Sequence, residues 1–198
     1  MVISDEIHCD LIYDDRTHLP LAGLNQQISD RTITLMAPSK TFNLAGLKCS
    51  MMIIQNPELL KRIENGRRGL VGEPSLIGLE AARAAYALGE DWLIELLAYL
   101  KSNRDFILNF LKNDLPQIGM PNPEGTYLAW LDCRRLDLKP NPYEFFLTQA
   151  KVALNDGHAF GIGGEGFVRL NYGCPRKTLA EALDRMNNAI KKSVENLV

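Results

Sequence analysis

Cysteine is scarce in this 198-residue chain: there are four, Cys9, Cys49, Cys133 and Cys174. None forms a Cys-x-x-Cys pair, so a zinc site or a dithiol redox motif has no support. Free thiols in a reducing, cytoplasmic compartment are the expected state. Long apolar runs are missing too, since stretches such as Met51-Met52-Ile53-Ile54 are far too short to span a bilayer. Positive charge is not in excess: Lys+Arg 22 against Asp+Glu 24 gives a net charge of −2, so nucleic acid is not expected as a partner. The opening Met-Val-Ile-Ser-Asp-Glu has no basic region, no apolar core and no cleavage site, so no secretory signal is expected. Internal repeats and low-complexity segments are also absent. What remains is 46% hydrophobic and 23% charged, ordinary for a soluble globular protein, with length enough for one large domain or two unequal lobes.

Residues 1–4 read as the end of a strand, apolar at Val2 and Ile3 and polar from Ser4. A parallel strand buried on both faces reads this way, and its C-terminal edge is where α/β proteins place chemistry. The chain looks cut into rather than begun. Residues 31–37 and 48–55 form the next two strand candidates, the first running into Pro38-Ser39-Lys40. Asn56-Pro57 opens a helix with Asn as cap. A basic, glycine-containing loop follows at 66–72, then a helix over 75–88. From Asp91 to about Asn113 the apolar residues keep helical spacing, with a polar gap near Asn103 and Arg104. Pro116, Pro121 and Pro123 mark a lobe boundary, which divides the chain into 1–115 and 116–198. A strand at 126–132, a helix opened by Asn141-Pro142 with Glu144 completing a capping box, a short strand near Val152, a strand at 167–171 and a helix at 176–195 complete the second part.

The glycines of 157–166 invite a phosphate-cradle reading. They lead into a strand rather than a helix and no Gly-Lys-Ser/Thr follows, so a tightly turned or flexible loop is preferred. His8, Cys9, Asp10 and His18 contain metal-ligand types, but neighbours on one turn seldom converge on one ion. A structural or hydrogen-bonding role is expected, and no metal. Lys40 follows a buried strand end, yet position alone leaves it an ordinary surface lysine.

Two segments change that weighting. Ser4-Asp5-Glu6-Ile7-His8-Cys9-Asp10-Leu11 and Ala37-Pro38-Ser39-Lys40-Thr41-Phe42-Asn43-Leu44-Ala45-Gly46-Leu47 resemble the fold-type I pyridoxal-phosphate enzymes. The closest pattern is that of the class I/II aminotransferase-like C–S lyases, the cystathionine β-lyase group. Pro123-Glu124-Gly125-Thr126-Tyr127, Phe167-Val168-Arg169-Leu170-Asn171 and Gly173-Cys174-Pro175-Arg176 continue the resemblance in order. It implies an α/β fold, a truncated fold-type I architecture. Residues 1–115 would be the later part of the large cofactor-binding domain with its linking helix, and 116–198 most of the small domain.

The resemblance implies a role for each matching residue. Lys40 matches the lysine that joins the cofactor aldehyde as an imine and moves the Cα proton. Asp5 matches the carboxylate that keeps the pyridine nitrogen protonated. His8 stands where many aminotransferases have a Tyr near the phenolic oxygen. Ser39 is placed to contact the phosphate, although Ala37 stands where the related transaminases usually have a Ser. Lys48, eight residues after Lys40, stands where a phosphate-binding Arg is usual. It brings charge without a fork, and is preferred to a plain surface charge. Gly46 would let the backbone turn closely there. Arg169 matches the arginine that grips the substrate α-carboxylate. Strand alternation puts it on the face opposite Val168 and Leu170, and without the family it would read as an ordinary solvated or salt-bridged Arg.

The activity implied for the parent protein is β-elimination of a sulfur amino acid to pyruvate, ammonia and a thiol. A class I/II aminotransferase is the first alternative, because the same three residues serve both. A non-catalytic interaction or regulatory module is the second. A homodimer is expected for the parent, with the loop Gly66–Ser75 near the partner. The family's first half supplies a further phosphate loop, a ring-stacking aromatic and an Asn, none of which has a place here. Little turnover is therefore expected of this chain alone.

Overall fold

The computed structural model describes residues 1–195. Two compact units divide inside one long helix, at Leu97/Ala98. The sequence division after residue 115 keeps that helix whole with the first part, and its last residues, 196–198, lie outside the described ones.

The first unit holds a three-stranded sheet in the order β1 (Val2–Asp5), β2 (Thr32–Met36), β3 (Met51–Ile53). β1 and β2 run parallel, with Asp5 opposite Leu35, and β3 returns antiparallel, with Met51 opposite Met36. β2 is the central strand, and its Thr32, Ile33 and Thr34 are buried. β1 is not the doubly buried strand expected: Val2 is 44% and Ile3 61% exposed. Among the described residues it pairs on one side only, with β2. β3 is shorter than expected and begins at Met51, because Lys48 turns left-handed (φ 50°) after a 3₁₀ turn at Ala45–Leu47.

Two short helices, α1 (Gln26–Ser29) and α2 (Pro38–Thr41), precede and follow β2. α3 (Pro57–Arg67) starts as expected, Asn56 Oδ1 accepting from the Glu58 and Leu59 amides at 2.9 and 3.3 Å. It ends on left-handed Arg68 (φ 43°). α4 (Leu76–Leu88) is capped by Ser75, which accepts from Gly78 N–H at 3.1 Å.

α5 (Glu90–Asp114) is the expected long helix. In the second unit it buries Leu100, Asn103, Arg104, Ile107 and Leu111, one stripe at helical spacing. The expected polar gap is thus part of the buried stripe. The second sheet has the order β4 (Leu128–Asp132), β6 (Phe167–Asn171), β5 (Asn155–Asp156), all antiparallel. Ala129, Leu131, Val168 and Leu170 line its buried face. α7 (Arg176–Glu195) buries Leu179, Leu183, Met186 and Ile190.

The helix from Asn141 begins as α6 (Pro142–Phe145) and widens into a π turn at Phe146–Ala150 that left-handed Lys151 stops. Only half of the capping box forms: Asn141 Oδ1 accepts from Glu144 N–H at 2.9 Å, and the Glu144 carboxylate meets the Asn141 side-chain amide rather than its backbone. The short strand falls at Asn155–Asp156, not at Val152, which is buried but follows directly on the turn. Among the described residues no helix is long and apolar enough to cross a membrane.

Candidate active site

The parallel pairing of β1 with β2 decides the geometry. Asp5 closes β1 opposite Leu35, and β2 ends one residue later at Met36. Ala37 stays extended and Pro38 starts α2, so Lys40 emerges just beyond the same sheet edge. β3 enters at Met51 opposite Met36, which brings Lys48 to that edge as well. The turn after β1, closed by Cys9 N–H to Glu6 O (3.0 Å) and Leu11 N–H to His8 O (3.0 Å), places His8 there too. Asp5, His8, Ser39, Lys40 and Lys48 therefore gather at the C-terminal edge of one sheet, where α/β folds hold their ligands.

Lys40 is exposed, but its neighbours are anchored. Thr41 is fully buried and donates its hydroxyl to Asp10 Oδ2 at 2.8 Å. That bond ties the turn after β1 to α2. Phe42 packs on Tyr86 and Trp92, with ring centroids 5.9 and 5.7 Å away. Asp10 thus has the hydrogen-bonding role expected of it, whereas its partner Thr41 was missed, because the pairing spans 31 positions. Among the described residues neither Lys40 nor Lys48 has an acidic partner. Gly46, by contrast, makes no close approach, and it is Lys48 that takes the left-handed conformation. A side chain in that region costs about 1–2 kcal/mol, a strain that recurs where backbone geometry serves a site.

Glu6, next to Asp5, was also missed. It is 7% exposed, and its carboxylate meets His18 Nε2 at 2.7 Å, Leu21 N–H at 3.1 Å and the Ser4 hydroxyl at 2.9 Å. His18 thus has the hydrogen-bonding role expected of it. Burial pushes the Glu6 carboxyl up, but the bonds from His18, Leu21 and Ser4 and the charge of His18 outweigh it, and the net direction is down. A carboxyl held down in the folded state stabilises it above the unfolded value and loses that contribution as pH falls through the folded one. Glu6→Gln is expected to lower the urea midpoint at neutral pH. The gap to wild type should close as pH drops below the ordinary 4.5. A gap independent of pH would assign the effect to packing.

Arg169 lies in the second unit, on the middle strand β6, opposite Trp130 of β4 and Asn155 of β5. Its neighbours Val168 and Leu170 are buried on the other face, as alternation predicts. Nη2 donates to Asn155 Oδ1 at 3.1 Å, and Cζ sits 4.6 Å from the Phe160 ring centroid. Nε is buried with no acceptor among the described residues, and no carboxylate pairs with the guanidinium. The glycine loop before β6 is tightly turned, with Gly161, Gly163 and Gly166 at positive φ. It does lead into a strand, which is no phosphate cradle.

The family model described as aminotransferase class I and II matches residues 1–186, and the chain belongs to that family. Cystathionine β-lyase PatB of Bacillus subtilis (strain 168) is 40% identical over 193 residues, covering 96% of this chain and 49% of that protein. Protein MalY of Escherichia coli (strain K12) is 38% identical over 194 residues, again 96% and 49%. The crystal structure of cystalysin from Treponema denticola, which contains a pyridoxal 5′-phosphate cofactor, superposes with a TM-score of 0.92 at 36% identity, over 97% of this chain and 49% of that one. The architecture is therefore that of the fold-type I pyridoxal-phosphate enzymes. The chain spans about half the length of the curated relatives it matches.

Proposed function

We propose that this chain carries the lysine-bearing half of a pyridoxal-phosphate-dependent C–S β-lyase. One observation favours lyase over aminotransferase: relatives named cystathionine β-lyase reach 40% and 37% identity, whereas those named aspartate aminotransferase reach 29% and 26%.

The residues at the first sheet's edge suit that cofactor. An amine, a carboxylate, a hydroxyl and a second cation on one edge match an aldehyde, a pyridine nitrogen and a phosphate. Pyridoxal phosphate, when bound, supplies an electron sink for negative charge developing at the substrate Cα. The Asp5 carboxylate would hold a proton on the pyridine nitrogen. Lys48 and Ser39 would hold the phosphate, and His8 would lie near the phenolic oxygen. Lys40 would take the substrate Cα proton on Nζ. With that proton held on Lys40, the thiolate would leave from Cβ, and the net reaction with water would give pyruvate, ammonia and a thiol. Arg169 would hold the substrate α-carboxylate through parallel hydrogen bonds.

Product analysis tests the reading. The holoenzyme, meaning the full-length parent protein loaded with cofactor, should release pyruvate, ammonia and a thiol in equal amounts when given cystathionine. A keto acid formed only with an amino acceptor would establish the aminotransferase instead. Arg169→Ala should raise KM for α-amino acids roughly ten- to a hundred-fold, the size of one lost charge-assisted contact. An unchanged KM would remove Arg169 from the site. The holoenzyme is also proposed to be a cytoplasmic homodimer, with the Gly66–Ser75 loop near the partner. A monomeric mass at full activity in sedimentation equilibrium would contradict it.

A further inference from the structure

We infer that Asn155 and Phe160 are positioning residues that hold the Arg169 guanidinium in place while leaving its charge unneutralised for a carboxylate ligand; this rests on the proposed role of Arg169. The second sheet's outer face carries two arginines at the ends of one aromatic row. Arg134 sits 4.6 Å from the Phe167 ring centroid, Phe167 stacks on Trp130 (5.4 Å, 16°), and Trp130 meets Phe160 edge-on (5.4 Å, 88°). Arg169 then lies over Phe160 at 4.6 Å.

The two ends are treated differently. Arg134 is neutralised by Asp132, whose oxygens accept from Nε at 2.9 Å and Nη2 at 2.7 Å. It is a closed ion pair with little left to offer. Arg169 has no such partner among the described residues. Its fork is fixed by a neutral amide oxygen, Asn155 Oδ1 at 3.1 Å, and by a ring face. Both contacts restrain a long, rotamer-rich side chain without cancelling its charge. A carboxylate does sit next door, at Asp156, but Asn155 stands opposite Arg169 and Asp156 opposite Val168. The Asp156 side chain instead accepts from His158 N–H at 3.1 Å. Strand alternation thus keeps the acidic residue off the arginine's face and puts the amide on it. A restrained cation loses less entropy when it grips an anion, so positioning should appear in affinity rather than in the chemical step.

Asn155→Asp separates this from a structural role. Aspartate has the same shape and accepts the same bond more strongly, so a structural residue would tolerate it. A positioning residue would not, because the new ion pair competes with the ligand for the fork. In the holoenzyme, Asn155→Asp is expected to raise KM for α-amino acids roughly ten-fold or more with kcat little changed. Asn155→Ala and Phe160→Leu should each raise KM by a smaller factor, roughly three-fold. The dissociation constant of propionate, measured by calorimetry, should move in parallel with KM in all three variants. Arg169→Ala is the control. If it weakens propionate and raises KM while Asn155→Asp changes neither, the positioning inference is overturned and the role of Arg169 stands. If Arg169→Ala itself changes neither, the proposed role of Arg169 fails and the inference fails with it.

Discussion

Lys40→Ala is expected to lower turnover of the holoenzyme by roughly 10³–10⁴-fold, the range for losing a positioned proton-transfer group that also forms a covalent link. The fold should be untouched. Lys40 is exposed and lies third in a four-residue helix whose anchoring falls to Thr41 and Phe42. Lys40→Arg is the sharper variant: it keeps the charge but not a basic, nucleophilic amine, and should be as inactive. Borohydride reduction of the wild-type holoenzyme should fix the cofactor to Lys40 and to no other lysine. Turnover within ten-fold of wild type in either variant, with an unaltered circular dichroism spectrum, would remove Lys40 from the catalytic role.

Asn103→Ala should produce the largest loss of stability. Asn103 is fully buried on the apolar stripe of α5. Its amide donates to the carbonyls of Tyr172 and Cys174 at 2.9 and 3.0 Å, and its Oδ1 accepts from Arg176 Nε at 2.8 Å. Removing it takes a donor from two carbonyls and an acceptor from the Nε–H of a guanidinium that also binds Ser102 Oγ at 2.8 Å and covers the Phe106 ring at 4.4 Å. Leaving buried groups unsatisfied costs about 1–3 kcal/mol each at most, so a total near 3 kcal/mol is expected. For a chain of this size that is roughly a 6–12 °C fall in Tm. A fall under about 2 °C in calorimetry would mean that water replaces the amide at little cost.

Asn103 also shows where sequence reading reaches its limit. Its polarity interrupts an apolar stripe, so spacing alone marks a gap, whereas the partners that satisfy it lie about seventy positions away. The elements with local signals were legible. Asn56-Pro57 and Asn141-Pro142 announce helix starts through caps that act within a few residues. The spacing of Leu100, Ile107 and Leu111 announces α5. The parallel pairing that brings Asp5 and Lys40 to one edge carries no such local mark, and only the strand ends before each residue hint at it. The apolar run of β1 reports a strand's preference, not whether anything covers it, and in this chain Val2 and Ile3 are exposed. Glu6 and Thr41 escaped notice because their bonds cross from one turn to another. Phe160 escaped it as one aromatic in a glycine-rich loop, and only the fold lays it under Arg169.

That loop has a base of unusual closeness. A Cβ on Gly157 would meet the Gly164 carbonyl oxygen at 2.2 Å, and one on Gly164 would meet the Gly157 oxygen at 2.0 Å. The two backbones touch where the loop opens and closes, so the residues between them form a ring tied at its neck. Ile162, at the far side, is fully exposed. Phe160, within this ring, packs on Trp130 and lies under Arg169, whereas Ile162 beyond it makes no such contact with the sheet. The tip is therefore a natural place to graft an affinity tag or a fluorophore, since exposed loop tips on a firm base accept insertions best. Alanine at either neck position would instead pry the two backbones apart and shift the strand that carries Arg169.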